Sequence, residues 1–353
     1  MMPLFELPAE IPGSSAWYGP EVATRTDWIH TVGDEEIAEI ELAMQRLEES
    51  GLEPTTLRRE DFLLPTLGPR LKRILAEVVE GRGFVLLRGL PVHEWGARQS
   101  AMALLGLGLH LGNLRSQNAQ GHLLGHVRDQ GLSSRDPNVR IYQTRERQNY
   151  HTDSCDVVGL LCLHPARSGG LSSLVSTVTI FNELRRRRPD LARILFEPLE
   201  TDRRGELAPG QRPFFRIPVF NWHAGLLTTI YHRPYIESAR RFAGVPPLTA
   251  AQTEALDAFD ALANDPALHF FMEFRAGDVQ LVHNHTLLHD RTAFEDWPEP
   301  ERKRHLLRLW LAPAEARPLP AVFAERYGSL IPGNRGGIHF PGSPLAVLWQ
   351  PDA

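Results

Sequence analysis

The residues best suited to chemistry begin with a His-x-Asp pair in "NYHTDSCD", residues 149–156. His151 and Asp153 lie two apart, and residues two apart on a β-strand point to the same face. An imidazole nitrogen and a carboxylate oxygen would then meet as two ligands of the 2-His-1-carboxylate set that suits non-haem Fe(II). Most pairs of this kind are solvent-exposed polar residues that bind no metal. It therefore predicts a metal site only if a third ligand comes from elsewhere in the chain.

Candidates for the third ligand lie in "GDVQLVHNHTLLHDRTAFED", residues 277–296, which contains His283, His285 and His289. All three have the same strand parity, so side-chain alternation does not choose among them. A histidine that is not a ligand would be a core residue with its hydrogen bonds satisfied. The residue types alone leave the choice of histidine open.

Two arginines extend the candidate site beyond the metal. "ERKRHLLRLWL", residues 301–311, places Arg304 and Arg308 four apart, on one face of an apolar strand. An inward-facing arginine needs an anionic partner, because an unpaired buried charge is costly. That partner is either a protein carboxylate or a bound carboxylate cosubstrate held through two guanidinium nitrogens. A structural salt bridge remains the alternative role for Arg308.

Many short β-rich runs must position these side chains, and turn residues separate the runs. They predict a barrel or a double-sheet jelly roll. Helical periodicity precedes them at 35–49 and 68–83, and interrupts them near 180–197 and 250–264. We therefore expect a mainly β fold with helical insertions, in which an N-terminal helical region packs on a jelly-roll core. The β-rich runs are "GFVLLRGL", "HLLGHV", "VRIYQT", "VVGLLCL", "LSSLVST", "FFRIPVF", "LLTTIY", "FMEFRAGDVQLV" and "HLLRLWLA".

The composition is ordinary for a globular protein, with 353 residues, 42% of them hydrophobic, and a formal net charge of −5. The acidic balance argues against nucleic-acid partners, and the sequence predicts neither a membrane span nor a signal peptide. Cys155 and Cys162 should point to opposite faces of one strand, so we expect no disulfide between them. These features favour a cytoplasmic protein with a small-molecule substrate, and they are compatible with a homo-oligomer.

Several segments together resemble the taurine dioxygenase/TfdA-type family of Fe(II)- and 2-oxoglutarate-dependent oxygenases. The resemblance covers residues from about 80 to 340, and it is the combination of motifs that is specific. It implies a double-stranded β-helix in one oxygenase domain spanning 1–353. Within it we expect a helical region at 1–80, the core with insertions at 81–320, and a tail or lid at 321–353. The motifs, in the family's order, are "GFVLLRGLP", "QNAQGHLLGHVRD", "HTDSCDVVGLLCL", "SGGLSS", "GDVQLVHNHTLLHDRTAFED" and "RHLLRLWL".

The resemblance also selects the metal ligands. It implies that His151, Asp153 and His289 bind Fe(II), because "LHDRT", residues 288–292, matches the family's "LH-x-R-T". Halogenating relatives carry a small residue in place of the carboxylate. The presence of Asp153 therefore predicts that this chain does not halogenate.

The cosubstrate residues follow in the same way. The resemblance implies that Arg304 binds the carboxylate of 2-oxoglutarate and that O2 is the second cosubstrate. A threonine in "GG-x-T" often hydrogen-bonds the same carboxylate in the family. Here Ser172 stands at that position, with Ser173 as the alternative.

The expected substrate is a small anion, an amino acid or related organic acid, oxidised at an unactivated C–H bond. Arg308 fits a family position that tends to face the substrate, whereas "YHRPY", residues 231–235, suits the surface as well as the pocket. Hydroxylation is the predicted outcome, with desaturation or oxidative ring closure as the alternative. A metalloenzyme that does not use 2-oxoglutarate and a non-catalytic binding domain are the alternative classes. The further substrate contacts that we expect are Tyr150, Gln117, Asn118, Ile338 and Phe340.

Overall fold

The computed structural model describes residues 6–133, 139–208, 210–340 and 342–350. The strands are β1 (Ile29–Thr31), β2 (Phe84–Arg88), β3 (Asn113–Arg115), β4 (Leu124–Val127), β5 (Gln148–His151), β6 (Val157–His164), β7 (Ser168–Gly169), β8 (Ser172–Ser176), β9 (Leu199–Asp202), β10 (Phe214–Ile217), β11 (Phe220–His223), β12 (Leu226–Thr229), β13 (His269–Met272), β14 (Val279–His283), β15 (Leu287–Arg291), β16 (Phe294–Glu295) and β17 (His305–Ala312). The α-helices are α1 (Gly19–Ala23), α2 (Asp34–Ser50), α3 (Leu67–Glu80), α4 (Val92–Leu111), α5 (Thr177–Arg187), α6 (Pro189–Ile194), α7 (Arg233–Ser238), α8 (Ala250–Ala263) and α9 (Ala324–Tyr327).

Two sheets form the centre of the fold. The larger sheet has the strand order β1-β2-β14-β6-β17-β3, with β4 also paired to β17, and the smaller has the order β13-β8-β15-β5. Side chains from both sheets share one core, for example Phe84 and Leu306 from the larger sheet with Leu174 and Leu287 from the smaller. This two-sheet arrangement confirms the predicted jelly-roll core.

A helical layer covers the outer face of the larger sheet. Along β2, Val85 and Leu87 pack against α2, α3 and α4, while Phe84 and Leu86 point into the core between the sheets. Both faces of β2 are buried, which explains its unbroken apolar run. The layer includes α4 and thus extends beyond the 1–80 region predicted from the sequence.

A second helical layer, made of α5, α6 and α8, covers the smaller sheet. Phe181, Leu191 and Phe259 from these helices pack with Val175 of β8 and Leu288 of β15. Each sheet is therefore fixed from outside by helices, so that the space between the sheets has rigid walls.

Some predicted strands differ from the observed elements. "VRIYQT" contains a 3-10 turn at Ile141–Gln143 instead of a strand. "FFRIPVF" divides into β10 and β11 around Pro218, since proline has no N–H to donate to a sheet.

The two cysteines are free and buried. Cys155 precedes β6 and only Cys162 lies on it, so the prediction that both share a strand is wrong. Separately, no helix within the described part of the chain is both long and apolar enough to cross a membrane.

Candidate active site

Three side chains meet between the sheets, on the edge formed by β5 and β15. His151, Asp153 and His289 bring one ligand atom each within 4.8 Å of one another. The two histidines face each other in register, with ring centroids 4.2 Å apart. The Asp153 oxygens lie 4.0 Å from His151 Nε2 and 3.8 Å from His289 Nε2. Among the described residues this is the one cluster of His, Cys, Asp and Glu side chains with such a spacing.

Asp153 reaches the cluster from a loop. The strand β5 ends at His151, and the Asp153 backbone N–H donates to Asn284 Oδ1 at 2.9 Å. Thr152, between His151 and Asp153, is fixed by two hydrogen bonds with the Tyr231 backbone. Its N–H donates to the Tyr231 carbonyl, and its hydroxyl accepts from the Tyr231 N–H. His151 and Asp153 therefore converge as predicted. Hydrogen bonds of the loop cause this convergence, so the prediction that both residues lie on one strand is wrong for Asp153.

The Asp153 carboxylate is held in its ionised form. Trp310 Nε1 donates to its Oδ2 at 2.9 Å, and Arg308 lies 3.4 Å from the same oxygen. Burial favours the neutral acid, but Arg308, His289 and His151 outweigh burial and lower the pKa of Asp153 to about 2. The group is thus a carboxylate at neutral pH, as a metal ligand must be.

The two histidines present neutral nitrogens. His151 Nδ1 donates to the Asn149 carbonyl at 2.8 Å, so the lone pair is on Nε2, which faces Asp153. Burial, followed by the effect of His151, lowers the pKa of His289 to about 3. An imidazole oriented by its backbone hydrogen bond, a second imidazole kept neutral by burial, and one carboxylate form the donor set that fits Fe(II).

The other two histidines of the motif lie apart from this cluster. His283 Nδ1 shares a hydrogen bond with Thr286 Oγ1, and His285 Nε2 lies 2.8 Å from Asp156 Oδ1. Asp156 also forms several hydrogen bonds with Arg335, and all three side chains of this buried network are fully enclosed. These contacts give His283 and His285 structural roles and support the choice of His289.

A cavity joins the three-residue cluster to Arg304 and Ser172. We call it the inner cavity. Arg304 is 3% exposed, and its NH2 donates weakly to the Gly170 carbonyl at 3.4 Å. Its NH1 has no hydrogen-bond partner in the described part of the chain, and burial lowers its pKa to about 10. A buried guanidinium with a spare donor suits a carboxylate ligand.

Arg291 offers spare donors in the same cavity, although the sequence had not suggested it as a cosubstrate ligand. One of its nitrogens donates to the Glu146 carbonyl, while Nε and NH1 are buried without partners among the described residues. The Arg291 and Arg304 guanidinium carbons lie 4.9 and 5.1 Å from the ring centre of Phe294. Two incompletely paired cations therefore lie against the same ring.

The two candidate serines, Ser172 and Ser173, are adjacent on β8 and therefore face opposite sides of the sheet. Ser172 lines the inner cavity and accepts a hydrogen bond from Gln280 Nε2 at 3.0 Å. Ser173 points to the opposite face, where its hydroxyl bonds the Phe270 carbonyl and the Tyr150 hydroxyl. Alternation along the strand thus favours Ser172.

A second cavity continues from the metal cluster toward the surface, and we call it the outer chamber. His151, Asp153 and Arg308 line its inner end, and Arg326 and Ile338 also border it. Arg308 Nε donates to Gln117 Oε1 at 2.7 Å, while the Gln117 amide N–H groups bind the backbone carbonyls of Leu123 and Arg308. Gln117 therefore positions Arg308.

The other predicted substrate residues are placed differently. Asn118 borders an adjoining cavity and caps its own loop through the N–H groups of Gln120 and His122. Phe340 borders another cavity, away from the metal cluster. Tyr150 lies in the core beneath α5 and α8, because it alternates with His151 on β5. That placement contradicts the expectation that Tyr150 contacts the substrate.

Several site residues were absent from the sequence-based prediction, and another, His232, belongs to the "YHRPY" stretch that the sequence assigned neither to the surface nor to the pocket. Trp310 could have been found, because it lies two residues after Arg308 on β17 and shares its face. His232 stacks on Tyr235 at 3.5 Å and lies 5.3 Å from the His151 ring. Arg140 precedes a 3-10 turn and Arg326 lies in the four-residue helix α9, and elements this short show no periodicity that predicts a direction.

Comparison with known proteins agrees with this geometry. Residues 49–310 match the "Taurine catabolism dioxygenase TauD, TfdA family". The chain is 32% identical to FR-33289 synthase of Streptomyces rubellomurinus over 329 residues, which cover 90% of this chain and 95% of that protein. It is also 32% identical to a uridine-5'-phosphate dioxygenase of a Streptomyces species, over 50% of this chain and 66% of that protein.

A solved structure shows the same fold. Asparagine oxygenase in complex with Fe(II), 2S,3S-3-hydroxyasparagine and succinate has a TM-score of 0.61 at 16% identity, covering 80% of this chain and 93% of that one. The family match spans most of the chain, and a relative at 32% identity spans nearly all of it. The chain therefore belongs to the taurine catabolism dioxygenase TauD, TfdA family and is an Fe(II)- and 2-oxoglutarate-dependent oxygenase.

Proposed function

We propose that this oxygenase hydroxylates a C–H bond of a small anionic substrate, with His151, Asp153 and His289 as the iron ligands. The inner cavity places two neutral imidazoles and an ionised carboxylate next to Arg304, a buried arginine with a spare donor. A metal and a carboxylate cosubstrate would satisfy both groups at once.

The cosubstrate would lie along the inner cavity. Arg304 and Ser172 would bind its distal carboxylate, and the spare Arg291 donors would add charge on the same side. When bound, iron and 2-oxoglutarate activate O2 and supply the oxidant for C–H cleavage. The chain's own task is to fix both partners in place between the two sheets.

The substrate would occupy the outer chamber. Arg308 lies between that chamber and Asp153, so an anionic substrate would be held close to the metal. An amino acid or a related organic acid fits this site, and the phosphate in the name of the uridine-5'-phosphate relative also suggests an anion. Asp153 occupies the position that halogenating enzymes leave free, which supports hydroxylation over halogenation.

The test has two stages. Anaerobic addition of Fe(II) and 2-oxoglutarate should produce a weak visible charge-transfer band, and a panel of organic anions should then reveal substrate-dependent succinate formation. Mass spectrometry should show a gain of one oxygen in the product, whereas a loss of two hydrogens would indicate desaturation or ring closure. Absence of the band, together with activity supported by zinc, would contradict the proposal.

We also infer a cytoplasmic location for the chain. Its two cysteines are free and buried, which suits a reducing compartment. Thiol titration of the protein isolated under native conditions, then denatured, should find both cysteines reduced. A disulfide-linked product would argue against this location.

A further inference from the structure

The outer chamber contains more positive than negative charge. Arg140, Arg308 and Arg326 line it, together with the carboxylates of Glu206 and Asp153. Glu206 is within electrostatic range of all three arginines. The partners of each arginine show how much of this charge is balanced within the protein.

Arg140 is balanced by a neighbouring carboxylate. Its guanidinium lies 2.6 Å from Glu206 Oε1, and NH1 donates to the Tyr235 hydroxyl at 2.8 Å. Another Arg140 nitrogen donates to the Arg204 carbonyl. Arg140 and Glu206 together therefore contribute little net charge to the chamber.

Arg326 has no such partner. Its guanidinium forms no hydrogen bond or ion pair with a described residue, and its nearest aromatic contact is the Phe215 ring at 5.7 Å. The adjacent carboxylate, Glu325, is turned to Arg212 at 2.7 Å and also accepts from the Arg216 backbone N–H. Arg326 lies in α9 and borders the outer chamber, and the carboxylate that acts on it there, Glu206, is already ion-paired with Arg140.

Arg308 shares its carboxylate partner with the proposed metal site. Among the described residues, Asp153 is the carboxylate that it contacts, at 3.4 Å. Under the proposed function Asp153 binds Fe(II), and the metal's charge then offsets the carboxylate. In the loaded enzyme neither Arg308 nor Arg326 would have a carboxylate of its own among the described residues, and partly buried charges without a partner are costly.

We propose that the outer chamber binds a phosphate or phosphonate group of the substrate as a dianion, with Arg326 as its principal ligand and Arg308 on the metal side. Two guanidinium groups that line one cavity, each without a carboxylate of its own, match two negative charges, and tetrahedral oxygens can accept from both. A carboxylate or sulfonate would leave one of the two positive charges unpaired. This inference rests on the proposed function, because the metal releases Arg308 from Asp153.

The experiment uses the enzyme loaded anaerobically with Fe(II) and 2-oxoglutarate, at about pH 8, where a phosphate monoester is a dianion. Calorimetry would measure the binding of methyl phosphate, methylphosphonate, methanesulfonate and acetate. We expect one of the two phosphorus compounds to bind at least about tenfold more tightly than methanesulfonate and acetate. The preferred phosphorus compound would distinguish a phosphate ester from a phosphonate substrate.

Variants assign this preference to Arg326. Arg326→Gln should lose about tenfold or more in affinity for the preferred probe, while Arg326→Lys should retain part of it. Arg46→Gln is the control, because Arg46 is exposed on α2, in the helical layer behind the larger sheet, and its loss removes the same net charge. All variants should keep the charge-transfer band, which depends on the inner cavity.

The outcomes separate the two proposals. If the wild-type enzyme shows no band, the proposed function fails. If the band is present but all four anions bind alike, or Arg326→Gln binds like Arg46→Gln, the phosphate inference is overturned. If Arg326→Gln does not fold, the probe order in the wild type and the Arg326→Lys result decide.

Discussion

The inner cavity and the outer chamber differ in the elements that build them. The inner cavity takes most of its polar side chains from β5, β8, β15 and β17, or from residues next to these strands of the two packed sheets. The outer chamber takes Arg140, Glu206, Tyr235 and Arg326 from loops and short helices. Strands and the residues next to them thus carry most of the groups proposed for the shared chemistry, with Asp153 on the loop after β5. Loops and short helices carry most of the groups proposed for substrate choice.

The largest effect is expected from a change to the proposed iron ligands of the inner cavity. His289→Gln should abolish Fe(II) binding and turnover, because it removes one of three ligands from an already minimal set. His283→Gln is the matched control, since His283 is buried and bonded to Thr286. Metal analysis and the charge-transfer band would measure the difference. Iron lost from the His283 variant and kept in the His289 variant would mean that the third ligand is His283.

The next effect concerns the cosubstrate. Arg304→Gln should weaken 2-oxoglutarate binding by about 2–5 kcal/mol, because it removes one partner of a buried charge pair. The variant without cosubstrate should be no less stable than wild type, since Arg304 forms no ion pair with a described residue.

Titration of the charge-transfer band with 2-oxoglutarate would measure this loss, and thermal unfolding would measure stability. Arg302→Gln is the control, because Arg302 is half exposed and lies over Trp297. An Arg304 variant that binds 2-oxoglutarate normally would give this arginine a structural role.

A smaller effect is expected from the group that orients Asp153. Trp310→Phe removes the indole N–H at 2.9 Å from the Asp153 carboxylate and keeps an aromatic ring. Loss of such a supporting hydrogen bond should reduce Fe(II) affinity by about 10–100-fold. Trp222→Phe, at an exposed position, controls for the change of residue type. Equal iron affinities in the two variants would show that Trp310 only fills space.

The smallest effect would separate two adjacent hydroxyls. Ser172→Ala should raise the KM for 2-oxoglutarate by an amount equivalent to about 0.5–1.5 kcal/mol, the net value of one hydrogen bond. Ser173→Ala should leave that KM unchanged and reduce stability, because Ser173 bonds Tyr150 and Phe270 on the other face of β8. Steady-state kinetics at varied 2-oxoglutarate would test this, and the opposite pattern would favour Ser173.

The sheet half of the molecule was largely predictable from the sequence. The apolar runs of β2, β6 and β17 are buried on both faces, so composition alone marks them as strands. Arg304 and Arg308 lie next to or on β17, whereas His151 ends the short polar strand β5. Their convergence follows from the order of motifs that the chain shares with its family.

The lining of the outer chamber was not predictable from the sequence, because it comes from loops and short helices. Arg326 lies in a four-residue helix, and its position depends on contacts made by segments far away in the chain. Asp153 shows the same limit at close range, since its backbone N–H donates to the side-chain oxygen of Asn284, a residue far along the chain. Periodicity encodes regular elements, whereas loop geometry depends on tertiary contacts.

The buried network of Asp156, His285 and Arg335 has a consequence for how the enzyme is made. Asp156 follows Asp153 by three residues, yet Arg335, one of its partners, is 179 residues further along the chain. Before Arg335 has been synthesised, Asp156 lacks this partner. Folding of the loop that carries Asp153 would then bury an incompletely paired carboxylate. We therefore expect released fragments that end before Arg335 to contain all three iron ligands and yet bind little iron, which metal analysis can measure. Iron would then be acquired late, after translation has passed the C-terminal segment.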